Sequence, residues 1–161
     1  MKKLILITSL ALSSSLVQAA SSYKMAVVSD GTGSSAIKQG EYKQGISAIS
    51  KTGKYKDVYQ QLTDAMNLCV AHVNLRQIEE AESACEQAVL LTKQTGSDTK
   101  QLQNIASLAL NNRAILKIKR QNYQAALSDL LAAMAVNNNQ VAQANLIKLI
   151  QKQSEKVQFK S

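Results

Sequence analysis

From Ala36 onward, apolar residues recur at helical spacing and the breaks between runs are short. The breaks are Thr52-Gly53, Thr95-Gly96-Ser97 and Asn137-Asn138-Asn139. The pattern predicts helices over 41–51, 55–75, 78–94, 98–120, 123–136 and 140–157, with Ser97-Asp98 as a helix start after the stop at Gly96. Helices joined by so few residues pack as antiparallel hairpins, which makes the expected fold all-α. Ahead of them, residues 20–36 hold an apolar patch, Met25 to Val28, and the loop Ser29-Asp30-Gly31-Thr32-Gly33-Ser34-Ser35. This stretch reads as a partly flexible N-terminus to a helical domain over 37–161.

Residues 1–19 have another character. Lys2 and Lys3 precede the apolar run Leu4 to Leu12, and Val17-Gln18-Ala19 places small residues third from last and last. These are the features of a secretory signal peptide cleaved after Ala19. The alternative, a membrane anchor, needs about 20 apolar residues, roughly twice the run present. No Cys follows the run, so lipoprotein processing is not indicated. The expected location is the bacterial periplasm or beyond it, with no transmembrane segment in the mature chain.

Composition agrees with a helical globular domain. The 161 residues are 45% hydrophobic and 19% charged, with no Pro and only 4% aromatic residues, poor material for a β-sandwich. Lys plus Arg number 19 against 11 Asp plus Glu, and removal of the leader takes away two of the basic residues and none of the acidic ones. Past an export signal, nucleic acid is not the expected partner. Acidic glycans, lipopolysaccharide or acidic proteins are. Glu79, Glu80, Glu82 and Glu86 also interrupt any continuous basic face.

Three segments match one another: Tyr42-Lys43-Gln44-Gly45-Ile46, Ile78-Glu79-Glu80-Ala81-Glu82 and Tyr123-Gln124-Ala125-Ala126-Leu127. Each sets a large residue three before a small one, just after a helix break. Around the second, the spacing extends through Ala65, Leu68, Cys69, His72, Ala81, Cys85 and Ala88. Around the third it runs through Leu110, Arg113, Ala114, Lys117, Ala126, Leu130 and Ala133. This resembles the tetratricopeptide repeat, a 34-residue unit of two antiparallel helices with small residues at their closest contacts. The resemblance covers about 62–95 and 107–140, with a half repeat at 41–51 and a capping helix at 140–157. It departs from the family where Ala65 and Leu110 replace a Trp, Cys69 and Ala114 a Gly, and Lys93 and Asn138 a Pro. It implies antiparallel hairpins stacked as a short α-solenoid. Gly45 and Ala81 lie 36 residues apart, but Ala81 and Ala126 lie 45 apart. The excess of 11 over the repeat is about three helical turns, expected to lengthen the helix starting near Asp98.

Candidate chemistry is sparse. In an exported chain Cys69 and Cys85 are expected to pair, and the repeat alignment sets them on facing sides of one hairpin; two buried free thiols are the alternative. His72 lies one turn from Cys69, but no second His or placed acid completes a metal site or a nucleophile–base pair. No catalytic residue, metal or cofactor is therefore assigned, and the chain is not expected to be an enzyme. Lys148, Lys152, Lys156 and Lys160 form a stripe on the last helix, read as a solvated cap. Arg113, Lys117, Lys119 and Arg120 form a second basic cluster near a helix end.

The resemblance implies a concave surface that binds an extended peptide or protein. Its inner-helix positions are Met66, Val70, Val73 and Asn74 in one repeat, and Asn111, Ile115, Ile118 and Lys119 in the next. The expected function is a periplasmic protein–protein interaction module. The alternative is an envelope-associated structural protein that makes weak contacts with anionic glycan or lipid through its basic faces.

Overall fold

The computed structural model describes residues 22–53, 56–96 and 98–158. The signal peptide of 1–19, the helix start at Ser97 and the last lysine of the stripe, Lys160, lie outside the described residues, as does the side chain of Lys156. The described residues form seven helices and no strand: α1 (Ser34–Lys38), α2 (Tyr42–Ser50), α3 (Val58–Leu75), α4 (Ile78–Thr95), α5 (Lys100–Lys119), α6 (Tyr123–Val136) and α7 (Gln140–Gln158). The fold is all-α. The starts of α3, α5 and α6 fall where a side chain caps them. Asp57 accepts from Gln60 N–H at 2.7 Å and Thr99 accepts from Leu102 N–H at 3.2 Å, so α3 and α5 begin later than the apolar pattern alone predicts.

α3 packs against α4 and α5 against α6 as hairpins, and α3, α5 and α7 form an inner row. The two hairpin turns are copies of each other. Arg76 and Gln121, 45 residues apart, both adopt φ 60°. In the first turn Gln77 N–H donates to the His72 carbonyl at 3.0 Å; in the second Asn122 N–H donates to the Lys117 carbonyl at 2.9 Å. Each is the six-to-one bond of a left-handed helix cap. Ala81 and Ala126, both fully buried, then occupy the close helix contacts. The extra turns expected in the helix near Asp98 are instead shared. α4 has 18 residues and α5 has 20, against 14 in α6, because nothing interrupts α4 before Gly96.

Cys69 on α3 and Cys85 on α4 form a disulfide with Cα atoms 4.8 Å apart. Val73, Ala81 and Leu116 pack around it as one of four apolar clusters. A second cluster joins Leu62, Met66, Leu91 and Ile105; a third joins Ala114, Leu130 and Leu149. Burying each Val, Leu, Ile or Met side chain among them contributes about 1.5–3 kcal/mol.

The N-terminal stretch differs from expectation. Rather than a flexible lead-in, residues 22–28 run extended across the inner helices, and α1 follows. The apolar patch explains this: Met25, Val27 and Val28 are buried or half-buried against the helices, so the segment belongs to the core. The segment at Tyr42, expected as a half repeat, forms α2 and is preceded only by the five residues of α1. A Cβ on Gly45 would come within 2.3 Å of the Ile37 side chain, so only glycine lets α2 approach α1.

Candidate functional site

The inner face of the solenoid holds the chain's own N-terminal segment through a row of asparagines. Val28 N–H donates to Asn67 Oδ1 at 2.9 Å, and Asn67 Nδ2 donates to the Val28 carbonyl at 3.2 Å. Asn112 repeats this pair on Ala26, at 2.8 and 2.7 Å. Asn145 repeats it on Lys24, at 2.9 and 2.7 Å. Asn111 adds a third bond, to the Lys24 carbonyl at 3.1 Å, and its Oδ1 accepts from Asn145 Nδ2 at 2.7 Å. One paired asparagine thus rises from each of α3, α5 and α7, with Asn111 beside Asn112 on α5.

The bonds fall on every second residue because an extended chain points its N–H and C=O groups alternately to opposite edges. The edge formed by residues 24, 26 and 28 is taken up. The N–H and C=O groups of Tyr23, Met25 and Val27, on the other edge, meet no hydrogen-bond partner among the described residues. All four asparagines are at most 2% exposed, so each amide is desolvated and needs the backbone it holds. Gly31 matters here. A Cβ there would lie 2.7 Å from Asn67 Nδ2 and push the first rung aside.

Beside the segment lies a cavity of about 540 Å³. Val70, Asn74, Ile115, Ile118 and Lys119 line it, together with Tyr23, Met25, Val27, Ile37, Lys38 and Tyr42. Five of the eight inner-helix positions expected to bind a partner therefore come together around one space. The other three do not line it. Met66 and Val73 are fully buried core, packed with Val28 and beneath Met25, and Asn111 belongs to the asparagine row. Sequence reasoning missed Asn67, Asn112 and Asn145. A signal was present, since Asn67 and Asn112 keep the same 45-residue register as Ala81 and Ala126.

The electrostatics correct one expectation. Arg113, Lys117 and Arg120 are not an open basic cluster. Arg113 donates from Nε and Nη2 to the two Asp129 oxygens at 2.9 and 2.7 Å, and from Nη1 to Glu86 at 2.7 Å. Lys117 reaches Asp129 at 2.7 Å, and Arg120 pairs with Glu82. The acidic block on α4 and the buried Asp129 on α6 draw these cations into ties between helices. The bidentate bond to Asp129 holds the Arg113 guanidinium above its usual pKa. Lys119 alone of the four makes no ion pair among the described residues.

Tyr23 anchors the start of the segment between α5, α6 and α7, with Lys148 Nζ 4.9 Å from its ring centre. Burial, then the neighbouring Tyr123, raises its phenol above the ordinary tyrosine value. At the segment's far end Tyr59 donates to Asp30 at 2.9 Å, and burial followed by that bond raises its phenol too. His72 Nδ1 lies 2.8 Å from Gln77 Oε1, while its neighbour Cys69 is spent in the disulfide. Among the described residues no group of three or more His, Cys, Asp or Glu could hold a metal ion, and no helix is long and apolar enough to cross a membrane. No protein-family model, curated protein or solved structure matches the chain.

Proposed function

We propose that this chain is an exported, non-enzymatic protein-interaction module, related to the tetratricopeptide repeats, whose concave groove takes extended polypeptide. The segment held by the asparagine row carries the reading. The row fixes the chain's own residues 22–28 as an extended strand along the groove, with one main-chain edge left to pair with another extended polypeptide. The cavity beside it supplies an apolar floor at Val70, Ile115 and Ile118 with polar edges at Asn74 and Lys119. The copied hairpin turns support the repeat kinship, and the disulfide supports an oxidising compartment such as the periplasm. The glycan or lipid reading draws little support from the second basic cluster, since three of its four cations are paired with carboxylates.

A photo-crosslinking residue placed at Lys119 in living cells is expected to join the chain to a protein of the envelope. The same residue at exposed Gln151 on α7 serves as control. Fractionated cells should yield a mature chain beginning near Ala20. Equal crosslinking from both positions, or crosslinks only within the chain, would remove the groove from consideration.

A further inference from the structure

We propose that the partner is an extended acidic segment that joins the groove as a second strand, pairing with the outward edge of residues 22–28 instead of displacing them. This rests on the groove reading above and specifies how the groove is filled. The resident segment is built into the fold. Val28, Met25 and Tyr23 each pack with a different apolar cluster, and seven hydrogen bonds from four asparagines hold its inner edge. It is also covalently attached, so a free peptide competes against an effective concentration on the order of millimolar. Its other edge is unspent. Three alternate residues, Tyr23, Met25 and Val27, offer N–H and C=O groups with no partner among the described residues, and an unpaired edge is a template for another strand.

Those three residues line the cavity of about 540 Å³, so edge and cavity adjoin and an incoming side chain can enter the space. Charge selects the occupant. The cavity is lined by Lys38 and Lys119 and by no Asp or Glu, and exposed Lys24 sits on the segment itself. A second copy of this chain would bring the same positive edge against its like. An acidic side chain complements it.

The probes are blocked seven-residue peptides alternating valine and threonine, with glutamate or lysine at the centre. Titrated into the purified protein, the glutamate peptide should bind at least tenfold more tightly than the lysine peptide. Val27→Pro removes an outward N–H while keeping apolar bulk, a change tolerated at a strand edge. It should cost tenfold or more in affinity, whereas Val27→Ala should cost less than threefold. Lys119→Glu, which leaves the segment untouched, should reverse the peptide preference. In the saturated complex, the amides of Lys24, Ala26 and Val28 should stay protected from exchange. Binding that survives Val27→Pro and frees those amides overturns strand addition but leaves the groove reading standing, as displacement. No binding of either peptide overturns both. Equal binding of the two peptides, or self-association through this edge, overturns the acidic partner.

Discussion

Asn67 and Asn112, 45 residues apart in the chain, hold Val28 and Ala26 in the same way, each accepting a main-chain N–H and donating to the carbonyl of the same residue. A repeat in the helices is thereby matched to a two-residue step in an extended segment. Asn145 carries the match to Lys24. The contact reads only backbone, which is why Lys24, Ala26 and Val28 share no chemistry in their side chains.

Asn112→Ala should strip Ala26 of both partners and destabilise the fold by about 1–3 kcal/mol, the cost of leaving buried polar groups unpaired. Urea unfolding measures the loss. Hydrogen exchange should quicken at Ala26 and its neighbours more than in α4. A change confined to the helices would mean the row is not what holds the segment.

Reduction of Cys69–Cys85 opens a short loop across the α3–α4 hairpin. The expected loss is about 3 kcal/mol, a fall of roughly 6–12 °C in the melting midpoint for a chain of this size. Cys69→Ala and Cys85→Ala should each reproduce it, and the double variant should be little worse than either. Free alkylation of both thiols in unreduced native protein would contradict the bridge.

Asp129→Asn should be costly for an exposed-sounding change. It leaves Arg113 and Lys117 adjacent with their shared carboxylate gone, and Asp129 is only 5% exposed. About 2–3 kcal/mol is expected. Adding Lys117→Met should recover part of it, since Lys117 is the cation left without its carboxylate while Arg113 keeps Glu86. Thermal melts of the single and double variants decide this.

Alkaline pH should loosen the segment at both ends. The phenols of Tyr23 and Tyr59 are raised in the folded chain, so their contribution is fully present below the ordinary tyrosine value of about 10. It is lost as pH rises through the folded values, because the unfolded chain gives up those protons first. Amide exchange across 22–30, corrected for its intrinsic base catalysis, should therefore accelerate above pH 10. Tyr23→Phe with Tyr59→Phe should flatten that dependence.

The helices were legible because their signal is local. Apolar residues at helical spacing marked all but α1, which at five residues is too short to show a period. The pairing of hairpins followed from short breaks, and Ala81 and Ala126 marked the close contacts. The site was only half legible. Val70, Asn74, Ile115, Ile118 and Lys119 were recoverable as inner-helix positions. Asn67 and Asn112 each stand one residue beyond a chosen position, and a buried asparagine looks like any surface polar residue until its partner is known. That partner is a stretch of backbone 39 residues away in the first case and 86 in the second, which no helical spacing encodes.

The asparagine row also has a mechanical consequence. Two residues of extended chain advance about 6.6 Å, whereas packed helices sit about 8–10 Å apart. A strand fastened to α3, α5 and α7 at two-residue steps is therefore shorter than the row of helices it spans. It acts as the string of a bow, drawing the inner ends together and setting the curvature. Cutting one rung should let the solenoid flatten, and small-angle scattering of Asn112→Ala would register that as a longer maximum dimension at unchanged helix content.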